Sequence, residues 1–166
     1  MCVLPEPILL PALNEELLLN RILIQIPGAI DRLDQGANLL FANCGRGEAL
    51  AGLALRFPQS RFFGLEASGY DRSVARQTVR ASWLQNLWIE PDSAHLPYLA
   101  NSFHLALRML HPAGTDLAEI ARLLKEDGLV FDVHLAAPVL RPYRSAGLTV
   151  LRSIRLPDGF CTIARK

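Results

Sequence analysis

Cysteine is scarce in this chain. Cys2, Cys44 and Cys161 form neither a Cys-x-x-Cys pair nor an even-numbered framework. This excludes a disulfide-stapled secreted scaffold and points to a reducing compartment. The four histidines and the cysteines show no metal-ligand spacing, so no metal site is expected. No apolar run reaches the length of a membrane span. The opening Met-Cys-Val-Leu-Pro-Glu-Pro has no basic segment, and its prolines and Glu6 interrupt any apolar stretch. It resembles no signal peptide, and a cytoplasmic location is the expectation. Charge of one sign is also missing: the formal net charge is +1, which supplies no bulk attraction for nucleic acid or anionic membrane. Repeats and low-complexity tracts are absent.

What remains is a chain of 166 residues, 51% hydrophobic and 20% charged, enough to bury one substantial core. Its first part differs from the rest. Pro5, Pro7 and Pro11 keep the start extended or turned. Asn14 has the character of an N-cap, with Glu15 and Glu16 at the positive end of a helix. Leu17, Leu18, Leu19, Ile22 and Leu23 give that helix an apolar face, and Pro27-Gly28 ends it. A short second helix is expected over 29–33. Residues 1–36 are thus read as a helical arm or cap, and residues 37–166 as the main domain. The leucines of the arm need cover, either at the ligand-binding end of the main domain or across a homodimer contact.

From Leu39 onward, short apolar runs alternate with amphipathic helical stretches. Strands are predicted over 39–43, 61–66, 87–90, 103–109 and 129–135. Helices are predicted over 48–57, before Pro58, and from the Ser68/Asp71 capping pair to about Ser82. The Asp116/Glu119 pair opens another, whose Leu117, Ile120, Ala121 and Leu124 form one stripe and whose stop is Gly128. A short helix is expected over 137–146. Two last strands, 148–156 and 160–165, flank the turn signal Pro157-Asp-Gly159. Five βα units and a hairpin imply an α/β, Rossmann-like, mostly parallel seven-stranded sheet. Its final strand is antiparallel and helices cover both faces. Ligands on such sheets bind beyond the carboxyl ends of the strands, beside the first one.

The glycine-containing turn after the first strand, Asn43-Cys-Gly-Arg-Gly47, lets backbone approach a ligand closely. Glu66 ends the second strand about twenty residues later, the spacing at which one βαβ unit holds a nucleoside. Its carboxylate can accept from both ribose hydroxyls. Other readings stand beside this one: Glu66 as a helix-cap acid, Asp92 as a turn cap, Cys44 as a small buried packer. His111 and His134 sit near strand carboxyl ends, where a general base is useful, or serve as hydrogen-bonded structural histidines. Arg72, Arg76 and Arg80 stripe one helical face. A solvated surface is the simple reading, because no aromatics interleave them in sequence.

The order of these motifs resembles the class I S-adenosylmethionine-dependent methyltransferases over about residues 37–166, nearest the small-molecule, quinone-biosynthesis-like group. Leu39–Gly47 stands where that family has its first-strand glycine loop. Gly64-Leu-Glu-Ala-Ser68 looks like its second strand with the ribose acid. Pro91-Asp-Ser-Ala-His-Leu-Pro-Tyr98 looks like its adenine loop, and Ile120–Val130 like its fifth unit. The resemblance implies S-adenosylmethionine as cofactor, S-adenosylhomocysteine as product, and a small-molecule acceptor without membrane or nucleic-acid partners. It places Asn43, Cys44, Gly45 and Gly47 along the methionine and ribose, and Glu66 and Ala67 at the ribose. Asp92 and Ser93 fall at the adenine, and Arg108 near the transferred methyl. His111 and His134 are the candidates for a catalytic base.

The chain also departs from the family. Phe41 stands where an acidic residue usually orients the methionine ammonium, and an aromatic cannot accept from it. Asn43 replaces the first glycine, and asparagine tolerates left-handed backbone. Arg46 is either bulk beside the sulfonium or a partner for the methionine carboxylate. The sequence therefore supports methyl transfer to a small molecule. A degenerate, non-catalytic binding or scaffold subunit is the alternative. A nicotinamide oxidoreductase is disfavoured by the Asp92 loop and the terminal hairpin.

Overall fold

The structure is a computed structural model that describes residue 19 and residues 21–109, 115–157 and 159–166. In chain order the elements are α1 (Ala29–Asp34), β1 (Asn38–Ala42), α2 (Glu48–Arg56), β2 (Arg61–Glu66), α3 (Gly69–Ala81) and β3 (Leu87–Pro91). There follow β4 (Phe103–Met109), α4 (Leu117–Leu123), β5 (Leu124–His134), α5 (Arg141–Ser145), β6 (Thr149–Leu156) and β7 (Gly159–Arg165). The seven strands form one sheet in the order β3-β2-β1-β4-β5-β7-β6. Pairs from β3 through β5 are parallel, and β7 runs antiparallel to both β5 and β6. The sheet is therefore Rossmann-like, with strand order reversing between β1 and β4 at its centre.

The alternation within β1 explains the two-sided core. Leu39 and Phe41 join a cluster with Leu33 of α1, Leu50 and Leu53 of α2 and Ala75 of α3. Leu40 and Ala42 point the other way, into a cluster with Ile120 and Leu123 of α4 and Tyr143 of α5. A strand buried on both faces reads as a continuous apolar run, as this one does. Residues 21–23 are helical, and Leu19, Ile22 and Leu23 are buried in the first cluster. The rest of the predicted arm helix, with its Asn14 cap, lies outside the described residues.

Three expectations are corrected. The βα units number four, because residues 92–102 form no helix. Their backbone is tied to α4 instead: Glu119 accepts from the Leu96 amide at 2.9 Å, and Arg122 donates to the carbonyls of Leu96 and Tyr98. The fourth helix ends at Leu123 rather than Gly128. Register along β4 passes from Phe103↔Leu124 to Leu105↔Leu129, so residues 125–128 bulge out of the ladder. Asp127 takes the left-handed conformation there (φ 62°), a position aspartate tolerates. Gly128 is required for space: a Cβ would lie 2.8 Å from the Lys125 carbonyl oxygen. Finally, the last helix is only Arg141–Ser145. Pro142 fits the first turn of a helix but not its interior, so a helix over 137–146 could not contain it.

Candidate functional site

The carboxyl ends of β1, β2 and β3 meet around one carboxylate. Glu66 closes β2 and is only 4% exposed. One oxygen accepts from the Gly45 amide and the other from the Ser68 amide, both at 2.8 Å. Each acceptance comes from a turn that leads into a helix. Gly45 (φ 57°) and Gly47 (φ 77°) bring the chain from β1 into α2, and Ser68 is the N-cap of α3, accepting from Asp71 N. The predicted capping pair thus exists. A Cβ built on Gly45 would meet no atom within 4 Å, whereas one on Gly47 would lie 3.1 Å from the Ala75 Cβ. The first glycine opens onto space and the second is needed for close packing of α2 on α3. A carboxylate has about four lone-pair sites, so two remain for hydroxyls beside the space over Gly45.

Asn43 takes the left-handed conformation (φ 62°) that its place in the turn demands. Its Nδ2 donates to the Met109 carbonyl at 2.6 Å, joining the turn to the end of β4. Cys44 is buried, and its amide donates to the Leu65 carbonyl. Its Sγ would lie 2.8 Å from a Cβ on Gly64, so it packs against β2. Arg46 pairs with Asp71 at 3.4 Å and lies over the Tyr70 ring. Phe41 is fully buried among the core side chains.

Asp92 follows β3, and its amide donates to the Glu66 carbonyl at 3.3 Å. Its Oδ1 accepts from the Thr115 amide at 3.0 Å and hydroxyl at 2.6 Å. The Thr115 hydroxyl also lies 3.0 Å from the Ser93 carbonyl, and the Ser93 hydroxyl donates to the His95 carbonyl. Asp92 and Ser93 are thus brought beside Glu66, with Thr115 as their clamp. Thr115 carries no sequence signal beyond its place before the Asp116 cap.

A second polar group lies across β4, β5 and β7. Arg108, with a side chain 13% exposed, approaches Asp132 at 3.6 Å, and its Nε is buried without a hydrogen-bond partner among the described residues. The Tyr143 hydroxyl donates to Asp132 at 2.6 Å. Burial first, and Asp132 second, push the Tyr143 hydroxyl well above the ordinary tyrosine range. The same two causes push the Cys161 thiol up to about 12. His134 uses both ring nitrogens within the fold, one against the Ala136 carbonyl at 2.8 Å and one against the Thr162 hydroxyl at 2.9 Å. His111 lies outside the described residues. Of this group, sequence reasoning found Arg108 and His134. It missed Asp132, Tyr143 and Thr162: strand register sets Asp132 beside Thr162, and the packing of α5 on the sheet brings Tyr143 to Asp132.

No group of histidine, cysteine, aspartate and glutamate among the described residues could hold a metal ion. No described helix is long and apolar enough to cross a membrane.

No protein-family model matches the chain, and no curated protein sequence does. Solved structures do match. A [4+2]-cyclase, SpnF, superposes with a TM-score of 0.78 at 17% identity, covering 91% of this chain and 81% of that one. A SAM-dependent methyltransferase from Aquifex aeolicus gives 0.69 at 13% identity over 90% and 97%. A geranyl diphosphate methyltransferase in complex with SAM gives 0.73 at 15% identity over 92% and 85%. The chain therefore has a Rossmann-like, methyltransferase-type fold, and at these identities the likeness concerns the fold.

Proposed function

We propose that this protein binds S-adenosylmethionine across the carboxyl ends of β1, β2 and β3 and transfers its methyl group to a small molecule. The carrying observation is Glu66. Its two oxygens are oriented by the Gly45 and Ser68 amides and keep acceptor capacity beside the open space over Gly45. Charged acceptors held in place by backbone are preorganised for ribose hydroxyls. Asn43, Cys44, Gly45 and Gly47 shape the turn beside the ribose and methionine. Ala67 lies at the ribose, while Asp92 and Ser93, fixed through Thr115, serve the adenine. Arg108 stands at the end of β4, toward the acceptor.

When bound, the cofactor supplies an activated methyl group, and the protein's task is alignment of an already nucleophilic acceptor. No base is assigned: His134 already spends both nitrogens on the fold. The quinone-biosynthesis-like grouping, a cytoplasmic location and dimerisation through the arm remain parts of this reading carried by the sequence.

Calorimetry with S-adenosylmethionine, S-adenosylhomocysteine and NAD tests it. The expected result is affinity in the micromolar range or weaker for the first two and none for NAD. Glu66→Ala should weaken S-adenosylhomocysteine binding by about 1.5–3 kcal/mol. Unchanged affinity in that variant removes Glu66 from the site, and absent binding to the wild type removes the reading.

A second reading, a binding subunit that does not catalyse, rests on Phe41, which is buried in the core where the resemblance expects a carboxylate. Phe41→Asp separates the two. Tighter S-adenosylmethionine binding by a folded variant supports the second reading. Weaker binding by the folded variant, from a charge desolvated among apolar side chains, together with robust affinity of the wild type supports the first.

A further inference from the structure

Between Asp132 and Asp158 the chain has no acidic residue and four arginines, Arg141, Arg144, Arg152 and Arg155. All four are exposed. Among the described residues, none of their guanidinium groups is hydrogen-bonded or ion-paired. The same stretch exposes Leu135, Val139 and Leu140 by 70, 68 and 41%. Exposed aliphatic side chains are ordinarily scattered singly. These three share the loop 135–140 that joins β5 to α5.

The fold gathers this loop and three of the arginines at one corner. Leu135 follows the carboxyl end of β5, and its Cα would lie 3.4 Å from a Cβ on Gly159, which opens β7. Gly159 pairs with Leu156, the neighbour of Arg155. Ala164, Thr162 and Phe160 alternate onto one face of β7, and their partners on β6 are Val150, Ser153 and Arg155. Val150 packs against the cluster that holds Tyr143, so Arg155 shares its face with α5. Arg152 pairs with Ile163, a member of the opposite cluster, and lies on the other face. Within α5 only Tyr143 is buried, which leaves Arg141 and Arg144 outward. The Arg144 amide donates to the Leu140 carbonyl at 3.3 Å, so those two residues stand one turn apart.

We propose that this corner docks on a phospholipid surface bearing anionic headgroups. Leu135, Val139 and Leu140 insert among the headgroups, and Arg141, Arg144 and Arg155 meet their phosphates. Interfacial binding draws on both terms, buried apolar area and attraction to anionic lipid. An arginine there lays its stem along apolar surface and keeps its charge at the polar level. Nucleic acid would not reward exposed valine and leucine. Side chains this exposed project from the surface, and a bilayer accepts projections without a matching hollow. A net charge of +1 does not oppose the contact, because the field that matters is that of the local face. The proposal is independent of cofactor binding.

Cosedimentation of the full chain with sucrose-loaded vesicles in 100 mM NaCl tests it. One set is phosphatidylcholine alone, and the other holds about 30% phosphatidylglycerol. Partition should be at least about tenfold stronger on the second set. Arg141→Gln combined with Arg144→Gln should weaken it about 25-fold, about fivefold for each charge. Val139→Asp should weaken it at least about tenfold with every arginine retained. Arg152→Gln, on the other face, should change it by less than about twofold. All four substitutions fall on exposed side chains, so each variant keeps the fold. Absence of cosedimentation with the anionic vesicles overturns the proposal. So does binding that Val139→Asp leaves unchanged, which would be general attraction of a basic face to anions, acidic proteins included. Binding indifferent to the Arg141 and Arg144 changes, or lost as strongly on Arg152→Gln, moves the contact off this corner and overturns it too.

Discussion

The two halves of the sheet handle polar groups differently. Around β1, β2 and β3, most donors are backbone amides: Gly45 and Ser68 to Glu66, and Thr115, with its hydroxyl, to Asp92. Around β4, β5 and β7, both partners are mostly side chains: Arg108 with Asp132, Tyr143 with Asp132, His134 with Thr162. Backbone donors cannot rotate away, so the first half is stiff and fixes the direction of the lone pairs that Glu66 has left. Side-chain networks in a low-dielectric interior depend on every member. Asn43 links the two halves through its bond to the Met109 carbonyl.

Breaking the second half should have the largest effect on stability. Asp132→Ala leaves the Arg108 cation buried without its counter-ion and the Tyr143 hydroxyl without its acceptor. The expected loss is about 3–5 kcal/mol in urea unfolding. A loss below about 1 kcal/mol would mean that the network is structurally idle and that the contrast between the halves is false.

Glu119 is a smaller and pH-dependent case, because it ties the irregular 92–102 segment to α4. Its bidentate pairing with Arg122, at 2.6 and 2.7 Å, is the main cause holding its carboxyl down to about 2 from 4.5. A depressed acid stabilises the fold fully above its unfolded value. Its contribution should therefore be present above pH 4.5 and be lost as pH falls toward about 2. Glu119→Gln should cost about 2 kcal/mol at pH 7 and flatten the stability profile across that window. Thermal melts at pH 2–6 compare the two proteins, and parallel profiles would remove Glu119 as the titrating group.

The smallest effect lies at the opposite end of the sheet. His104 accepts from the Asn38 amide through Nδ1 at 2.9 Å, with Lys125 at 3.1 Å from its other nitrogen. Burial first, then Lys125 and Arg32, lower its pKa below 6.5. A base lowered on folding contributes stability above pH 6.5 that is lost as pH falls through its folded value. His104→Gln should reduce the fall in stability below pH 6.5 by less than about 1 kcal/mol, read from melts at pH 5–7. An unchanged fall would assign that slope elsewhere.

Local chemistry was legible where its partners are near in sequence. Ser68 accepts from the Asp71 amide and Asp116 from the Glu119 amide, both three residues on. The glycine turn and its distant acid were legible too, because a crossover of regular length brings Glu66 back beside Gly45. The Gly128 stop was misplaced because the bulge at 125–128 answers to pairing with β4, which no window of sequence contains. Asp132 and Thr162 escaped for the same reason, and Tyr143 because its contact comes from the packing of α5 on the sheet.

The sequence by itself determined the alternation of strands and helices, the mostly parallel sheet with its closing hairpin, and the glycine turn between β1 and α2. These follow from apolar period, caps and glycine conformation, all of which act within a few residues. Only the tertiary structure decided that Glu66 is gripped at both oxygens, that Arg108 and Tyr143 meet on Asp132, and that Trp88 stacks on Phe63. Those contacts join residues on different elements, and the energy that selects them comes from burial and strand register.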